Sequence, residues 1–179
     1  MTLEEAKALL VENDISFELV EYRNEKDYFH HVMLFPYLKK AETCKVIAMV
    51  VRSYNGEKDI ELQFNEYNGI FCLQELCFGS FCFEIFDIKK ELLAEELINY
   101  IKQIKEGKFA VIVANNLKRK SLLWDAAFDL NEENDDCDKN VFLRTMRRIQ
   151  KPKGFLAKLF QSELQYEIYD WNNYQCIVK

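Results

Sequence analysis

The chain has 179 residues, 49% apolar and 14% aromatic, with 14 Phe and 9 Tyr; that much apolar side chain excludes intrinsic disorder and suffices for one domain with a sizeable core. Five Gly and two Pro exclude collagen-like and low-complexity sections, and no apolar run approaches the ~20 residues of a membrane-spanning helix. The formal charge of −6 is uneven, because residues 139–158 hold seven Lys and Arg and no acid, which leaves the remainder at −13.

Thr2-x-x-Glu5 is a capping box, and Leu3, Ala6 and Leu10 follow at helical spacing, which predicts a helix over 3–13. Phe17 and Leu19 alternate with Glu18 and Val20, predicting a strand over 16–22. Over 25–40 the apolar residues are interrupted by Pro36, so a short helix and then an irregular segment are expected. The apolar run over 45–53 predicts a strand buried on both faces. Tyr54-Asn55-Gly56-Glu57 offers the Asn-Gly pair of a type I′ hairpin. The return strand alternates, with Ile60, Leu62 and Phe64 inward and Asp59, Glu61, Gln63 and Asn65 outward. Asn68-Gly69 predicts a second turn, 70–78 a third strand, Gly79 a break and 80–86 a fourth strand. These four read as an antiparallel meander.

Asp87 is the expected cap of a helix in which Leu93, Leu97, Tyr100, Ile101 and Ile104 recur at 3.6 spacing, closed by Gly107. Residues 109–114 predict another two-sided strand, paired with 122–130 after a basic turn at Lys118-Arg119-Lys120. An acidic loop follows. Asp138 is then expected to cap a helix with Phe142, Met146 and Ile149 inward, ended by Pro152. A short helix over 155–160 and a hairpin of 164–171 with 174–179 over Asn172-Asn173 complete the chain. The succession predicts an α+β fold: a single domain over 1–179 with one mainly antiparallel sheet of about seven to nine strands and three or four helices packed on it.

Chemistry-bearing motifs are sparse. The two histidines, His30 and His31, are adjacent, so they point apart on a strand or a helix and do not present a metal-ligand spacing. No glycine-rich phosphate loop or nucleophile elbow is present, and no serine has a marked base partner. The N-terminus lacks the basic and apolar regions of a signal peptide. Cysteines at 44, 72, 77, 82, 137 and 176 form no C-x-x-C pair, so a cytoplasmic protein with free, mostly buried thiols is expected. Cys72, Cys77 and Cys82 are spaced by five and are expected not to converge. No catalytic residue, metal site or cofactor is assigned; an enzyme using carboxylate or cysteine chemistry ranks third among the readings.

Three surface features remain. The stretch 129–138 fails as a calcium loop, because Asn134 stands where glycine is needed and Asn140 where a bidentate Glu is needed. Its Glu132, Glu133, Asp135 and Asp136 would instead steer a basic protein partner. Tyr169 and Trp171 share a strand face opposite Tyr166 and Ile168, and form a candidate aromatic anchor beside that loop. Lys118, Arg119, Lys120, Arg144, Arg147 and Arg148 form the alternative, a nucleic-acid surface, which the charge of −13 elsewhere opposes.

Four stretches, Ile15-Ser16-Phe17-Glu18, Ile60-Glu61-Leu62-Gln63-Phe64, Gly79-Ser80-Phe81-Cys82-Phe83-Glu84-Ile85-Phe86-Asp87 and Tyr166-Glu167-Ile168-Tyr169-Asp170-Trp171, resemble small cytoplasmic bacterial immunity proteins of polymorphic toxin systems. The resemblance carries no functional residue across. It implies an acidic α+β protein that binds a cognate toxin domain and blocks it without catalysis, with no membrane partner and with nucleic acid and small molecules ranked below the toxin.

Overall fold

The computed structural model describes residues 1–22, 46–53, 58–83, 89–130, 137–151 and 164–179. The expectations for 25–40 with its two histidines, for the 54–57 turn, for Asp87, for the acidic stretch 131–136 and for the 155–160 helix lie outside these residues. The chain falls into two compact units, Met1–Lys102 and Gln103–Lys179, each built on its own antiparallel sheet. No helix among the described residues is long and apolar enough to cross a membrane.

The first unit opens with α1 (Leu3–Glu12), whose capping box forms as expected. The Thr2 amide donates to Glu5 Oε2 at 2.7 Å, and Thr2 Oγ1 accepts from the Glu5 amide at 3.3 Å. These bonds hold the Glu5 carboxyl below its ordinary range, the Thr2 backbone N–H contributing most. Five strands follow: β1 (Glu18–Tyr22), β2 (Val46–Val51), β3 (Ile60–Tyr67), β4 (Ile70–Phe78) and β5 (Phe81–Phe83). They lie side by side in sequence order, each antiparallel to the next. Asn68 and Gly69 take φ of 52° and 80°, the two positive values a type I′ turn requires. The interior gathers Ala6, Leu10, Met49, Ile60, Leu62, Phe64, Leu76 and Phe78.

Gln63 departs from the expected pattern. Its strand parity is as predicted, yet it is 2% exposed rather than outward in water. Ala48 lies opposite it on β2 and is itself buried, so this sheet is covered on both faces at its centre. Alternation distinguishes two faces of a strand but does not say that one of them is wet. The Gln63 amide donates to Glu61 Oε2 at 3.2 Å, and its Oε1 has no partner among the described residues. Immediately beyond, the register shifts: Gln63 faces Glu75 while Phe64 faces Leu73, so Gln74 is the extra residue of a β-bulge.

The helix α2 (Leu93–Lys105) carries the chain into the second unit, with Leu97, Ile101 and Ile104 fully buried. Gly107 then takes φ of 71°. The second sheet comprises β6 (Phe109–Asn116), β7 (Ser121–Asp129), β8 (Leu164–Tyr169) and β9 (Tyr174–Val178), in the order β7-β6-β8-β9. Helix α3 (Cys137–Gln150) begins one residue before its expected cap, so Asp138 occupies the first turn, where a carboxylate suits the positive helix end. Its Ile149 packs with Ile112, Phe128 and Ile168, and Phe142 and Met146 lie against this cluster.

The α+β class, the antiparallel pairing and the number of strands agree with expectation, but the strands form sheets of five and four rather than one sheet. Hydrogen bonding closes within each set: β5 ends the first, and β6 pairs with β7 and β8.

Candidate functional site

The second unit holds a cleft of about 550 Å³ where α3 ends over its sheet, lined by Trp124, Thr145, Arg148, Ile149, Lys151, Tyr166 and Lys179. Its aromatic wall follows from strand register. Ala114 on β6 lies opposite Trp124 on β7 and Tyr166 on β8, so two rings flank a methyl group across three strands. Their centroids are 6.5 Å apart and tilted by 57°. A bulge next to this row leaves Leu123 unpaired, since Ala114 faces Trp124 while Asn115 faces Leu122. Trp124 is 39% exposed.

The opposite wall is cationic. Arg148 stands in the last turn of α3, one residue before buried Ile149. Lys179 Nζ donates to the Lys151 carbonyl at 2.6 Å, which places an ammonium at the negative end of that helix. No carboxylate among the described residues pairs with Arg144, Arg147, Arg148 or Lys151. Further cations converge on this end of the sheet. Asn116 pairs with Leu164, and Leu164 exchanges backbone hydrogen bonds with Lys179. The turn bearing Lys118, Arg119 and Lys120 follows directly on Asn116, whose Oδ1 accepts from the Arg119 amide at 2.9 Å. All three side chains are exposed, as are Arg144, Arg147 and Arg148. Of the six cations expected to act together, Arg148 lines the cleft, and the other five surround that end of the unit or the exposed side of α3.

The expected aromatic anchor is corrected. Tyr169 is 1% exposed and Trp171 8%, so neither ring is on the surface. Trp171 lies beyond the end of β8, in a loop where Asp170 Oδ1 accepts from the Asn172 and Asn173 amides at 2.7 and 2.8 Å. The face taken for surface is buried at Tyr169, as the opposite face is at Ile168, and Tyr166, on the Ile168 face, reaches the cleft. Glu132, Glu133, Asp135 and Asp136 lie outside the described residues. Lys151 belongs to the basic block 139–158, whereas Lys179 was missed as a site residue. The signal that finds Trp124 with Tyr166 is parity about Ala114, but it requires knowing that β8 lies beside β6.

A second polar cluster lies on the first sheet. Cys77 and Cys82, expected as free thiols, are joined by a disulfide. Gly79 and Ser80 form a two-residue loop in which Gly79 takes φ of 59°, so Phe78 faces Phe81 and Cys77 faces Cys82, with their Cα atoms 4.0 Å apart. The spacing of five, misleading within one strand, places two residues directly opposite across such a hairpin. Glu75 lies on the same face as Cys77, its Oε2 3.9 Å from the Cys77 sulfur. Partial burial pushes this carboxyl above its ordinary value. The donor atoms of Glu75, Cys77 and Cys82 lie within 4.8 Å of one another. Both sulfurs are committed to the disulfide, so in this state the group offers one carboxylate and is not a metal centre.

Comparison with known protein families, with curated proteins and with solved structures finds no match.

Proposed function

We propose that this chain is a non-catalytic binding protein whose second unit takes single-stranded nucleic acid into the cleft between Trp124 and Arg148. The observation that carries the reading is the convergence of the Trp124–Tyr166 ring pair with Arg148, Lys151 and Lys179 around one open cleft. A flattened aromatic base suits the ring wall and a phosphate the cationic wall, the combination single-strand binders use without base-edge readout. Charge supports it at the level of the unit. Residues 103–179 carry thirteen Lys and Arg against eleven Asp and Glu, whereas residues 1–102 carry eleven against nineteen. The opposing field of the chain as a whole is screened within ~8–10 Å in physiological salt.

Fluorescence anisotropy of a labelled oligo(dT) titrated with the full chain tests this reading. Three cations at the cleft predict an affinity that falls with salt with a log–log slope of about −2. Trp124→Ala is expected to weaken binding by about 1–3 kcal/mol, the usual worth of a stacked base. Absence of binding at ~100 μM protein in 50 mM salt sinks the proposal.

A second reading keeps the toxin-neutralising role and rests on the first unit. Tyr67 and Ile70 pair across the tip of the β3–β4 hairpin and are both more than half exposed, beside the exposed acid Glu66. An apolar tip with an acid beside it suits a basic protein surface. Coexpression with a toxin domain encoded next to this chain tests it. Persistent toxicity with abundant soluble protein removes the role.

A further inference from the structure

We propose that Cys77 and Cys82 form a reversible disulfide that exchanges with dithiols, with Glu75 as the group that delivers a proton to Cys77. The proposal is independent of the cleft and concerns the first unit alone.

Three observations support it. First, the crosslink spans a sequence separation of only 5, across a hairpin that its two-residue loop and the Phe78–Phe81 pair already close. Chain-entropy stabilisation grows with loop length, so a bridge here contributes near the minimum to stability. Second, the two sulfurs are unequal. Cys77 is 1% exposed, whereas Cys82 is half-buried on the three-residue strand β5. An incoming thiolate therefore reaches Cys82, and Cys77 is the leaving sulfur. Third, the leaving sulfur has an acid beside it, 3.9 Å from Glu75 Oε2. Partial burial raises this carboxyl above its ordinary value, so it holds a proton more tightly than a solvated one. Facing this group across the sheet are Glu61 and Gln63 on β3 and Cys82 on β5, with no cation among them.

The exchange balances as follows. One thiolate of the reductant attacks Cys82 Sγ; the new mixed disulfide forms as the Cys77–Cys82 bond breaks, and the electron pair leaves on Cys77 Sγ. Glu75 transfers its carboxyl proton to that sulfur and becomes a carboxylate. The second thiol of the reductant then displaces Cys82, closing the reductant's own disulfide and leaving its proton on the Cys82 sulfur. Glu75 is reprotonated by the proton released when the first thiol ionised. The protein gains two electrons and two protons, and the reductant loses the same.

The test uses the full chain with dithiothreitol as reductant and its cyclic disulfide as oxidant. Samples are quenched in acid, alkylated and read by intact mass and peptide mapping. The expected result is full, reversible interconversion of the 77–82 pair with unchanged far-UV circular dichroism. Glu75→Gln should slow reduction about tenfold or more after correction for the thiolate fraction of the reductant, and should flatten its remaining pH dependence. Glu75→Asp should recover part of the rate. In Cys77→Ser, oxidised glutathione should form an adduct on Cys82. Two free thiols persisting in fully oxidising buffer would falsify the proposal. Reduction of both Glu75 variants at the wild-type rate overturns it equally.

Discussion

The two units solve the same problem, an antiparallel sheet with helices, by different routes. In the first, strand order is sequence order, so each strand pairs with the strand that precedes or follows it in the chain. In the second, β6 sits at the centre and pairs with β8 only after the chain has passed through β7 and α3, so that Asn116 meets Leu164. The local route yields a unit with excess acid and a sheet buried on both faces at its centre. The non-local route brings residues distant in sequence, Trp124, Arg148, Tyr166 and Lys179, to one place. Distant pieces meet where the order of strands departs from the order of the chain, and the candidate binding site lies there.

Core truncation gives the largest expected effect and can break this comparison. Leu62 and Ile112 are fully buried, one in each sheet. Leu62→Ala and Ile112→Ala should each cost about 2–5 kcal/mol, the range for large-to-Ala changes that leave a cavity. Both tryptophans, Trp124 and Trp171, belong to the second unit. Tryptophan emission therefore follows that unit alone during urea unfolding, while circular dichroism follows both. Ile112→Ala should lower the emission midpoint, and Leu62→Ala should lower the circular dichroism midpoint with little change in emission. Coincident transitions in both variants make the chain one cooperative block and end the distinction.

Charge reversal in the cleft sharpens the comparison at a smaller scale. Arg148→Glu with Lys151→Glu should weaken oligo(dT) binding by about 1–3 kcal/mol and reduce the salt slope by more than one unit. Tyr67→Ser with Ile70→Ser, on the first unit, should leave that affinity unchanged. Loss of affinity in the hairpin-tip variant, with the cleft variant unaffected, would move the site to the first unit.

Much of the fold is legible in the sequence because local chemistry specifies it. The capping box at Thr2 and Glu5, the Asn68-Gly69 turn and the 3.6 spacing of Leu97, Ile101 and Ile104 each set their element without reference to a distant partner. Thr2→Ala tests the smallest of these devices, with an expected loss of about 1 kcal/mol in the first unit's unfolding transition. Sheet membership is not legible in the same way, since alternation of Ile60, Leu62 and Phe64 states which residues face a core but not which strand lies alongside. The burial of Gln63 and Tyr169 has the same origin. Each residue lies on the second face of a strand, and that face is covered by parts of the chain its own pattern does not mention. Of the site, Arg148 was legible from the basic block, whereas Lys179 and the Trp124–Tyr166 pair required the β6–β8 pairing.

The smallest expected effect concerns one partly buried carboxyl in each unit. Burial raises Glu75 above its ordinary 4.5 and Asp125 above its ordinary 3.8, the latter opposed in part by a hydrogen bond with its own backbone. A raised native pKa means that, as pH climbs from the ordinary value, the unfolded chain releases the proton first and the native state releases it later. Stability therefore falls across that window, and the loss is complete above the raised value. Glu75→Gln and Asp125→Asn remove the charge that burial disfavours, so both should raise stability at neutral pH and leave it unchanged below the ordinary carboxylate range. Asp125→Asn should act on the tryptophan-detected transition and Glu75→Gln on the circular dichroism transition, with Asp125→Asn the weaker because its backbone bond already offsets part of the penalty. Destabilisation by Glu75→Gln at neutral pH, with the disulfide intact, would mean that the carboxylate is stabilised by a partner rather than penalised by burial, and the proton it is assigned to deliver to Cys77 would not be there to give.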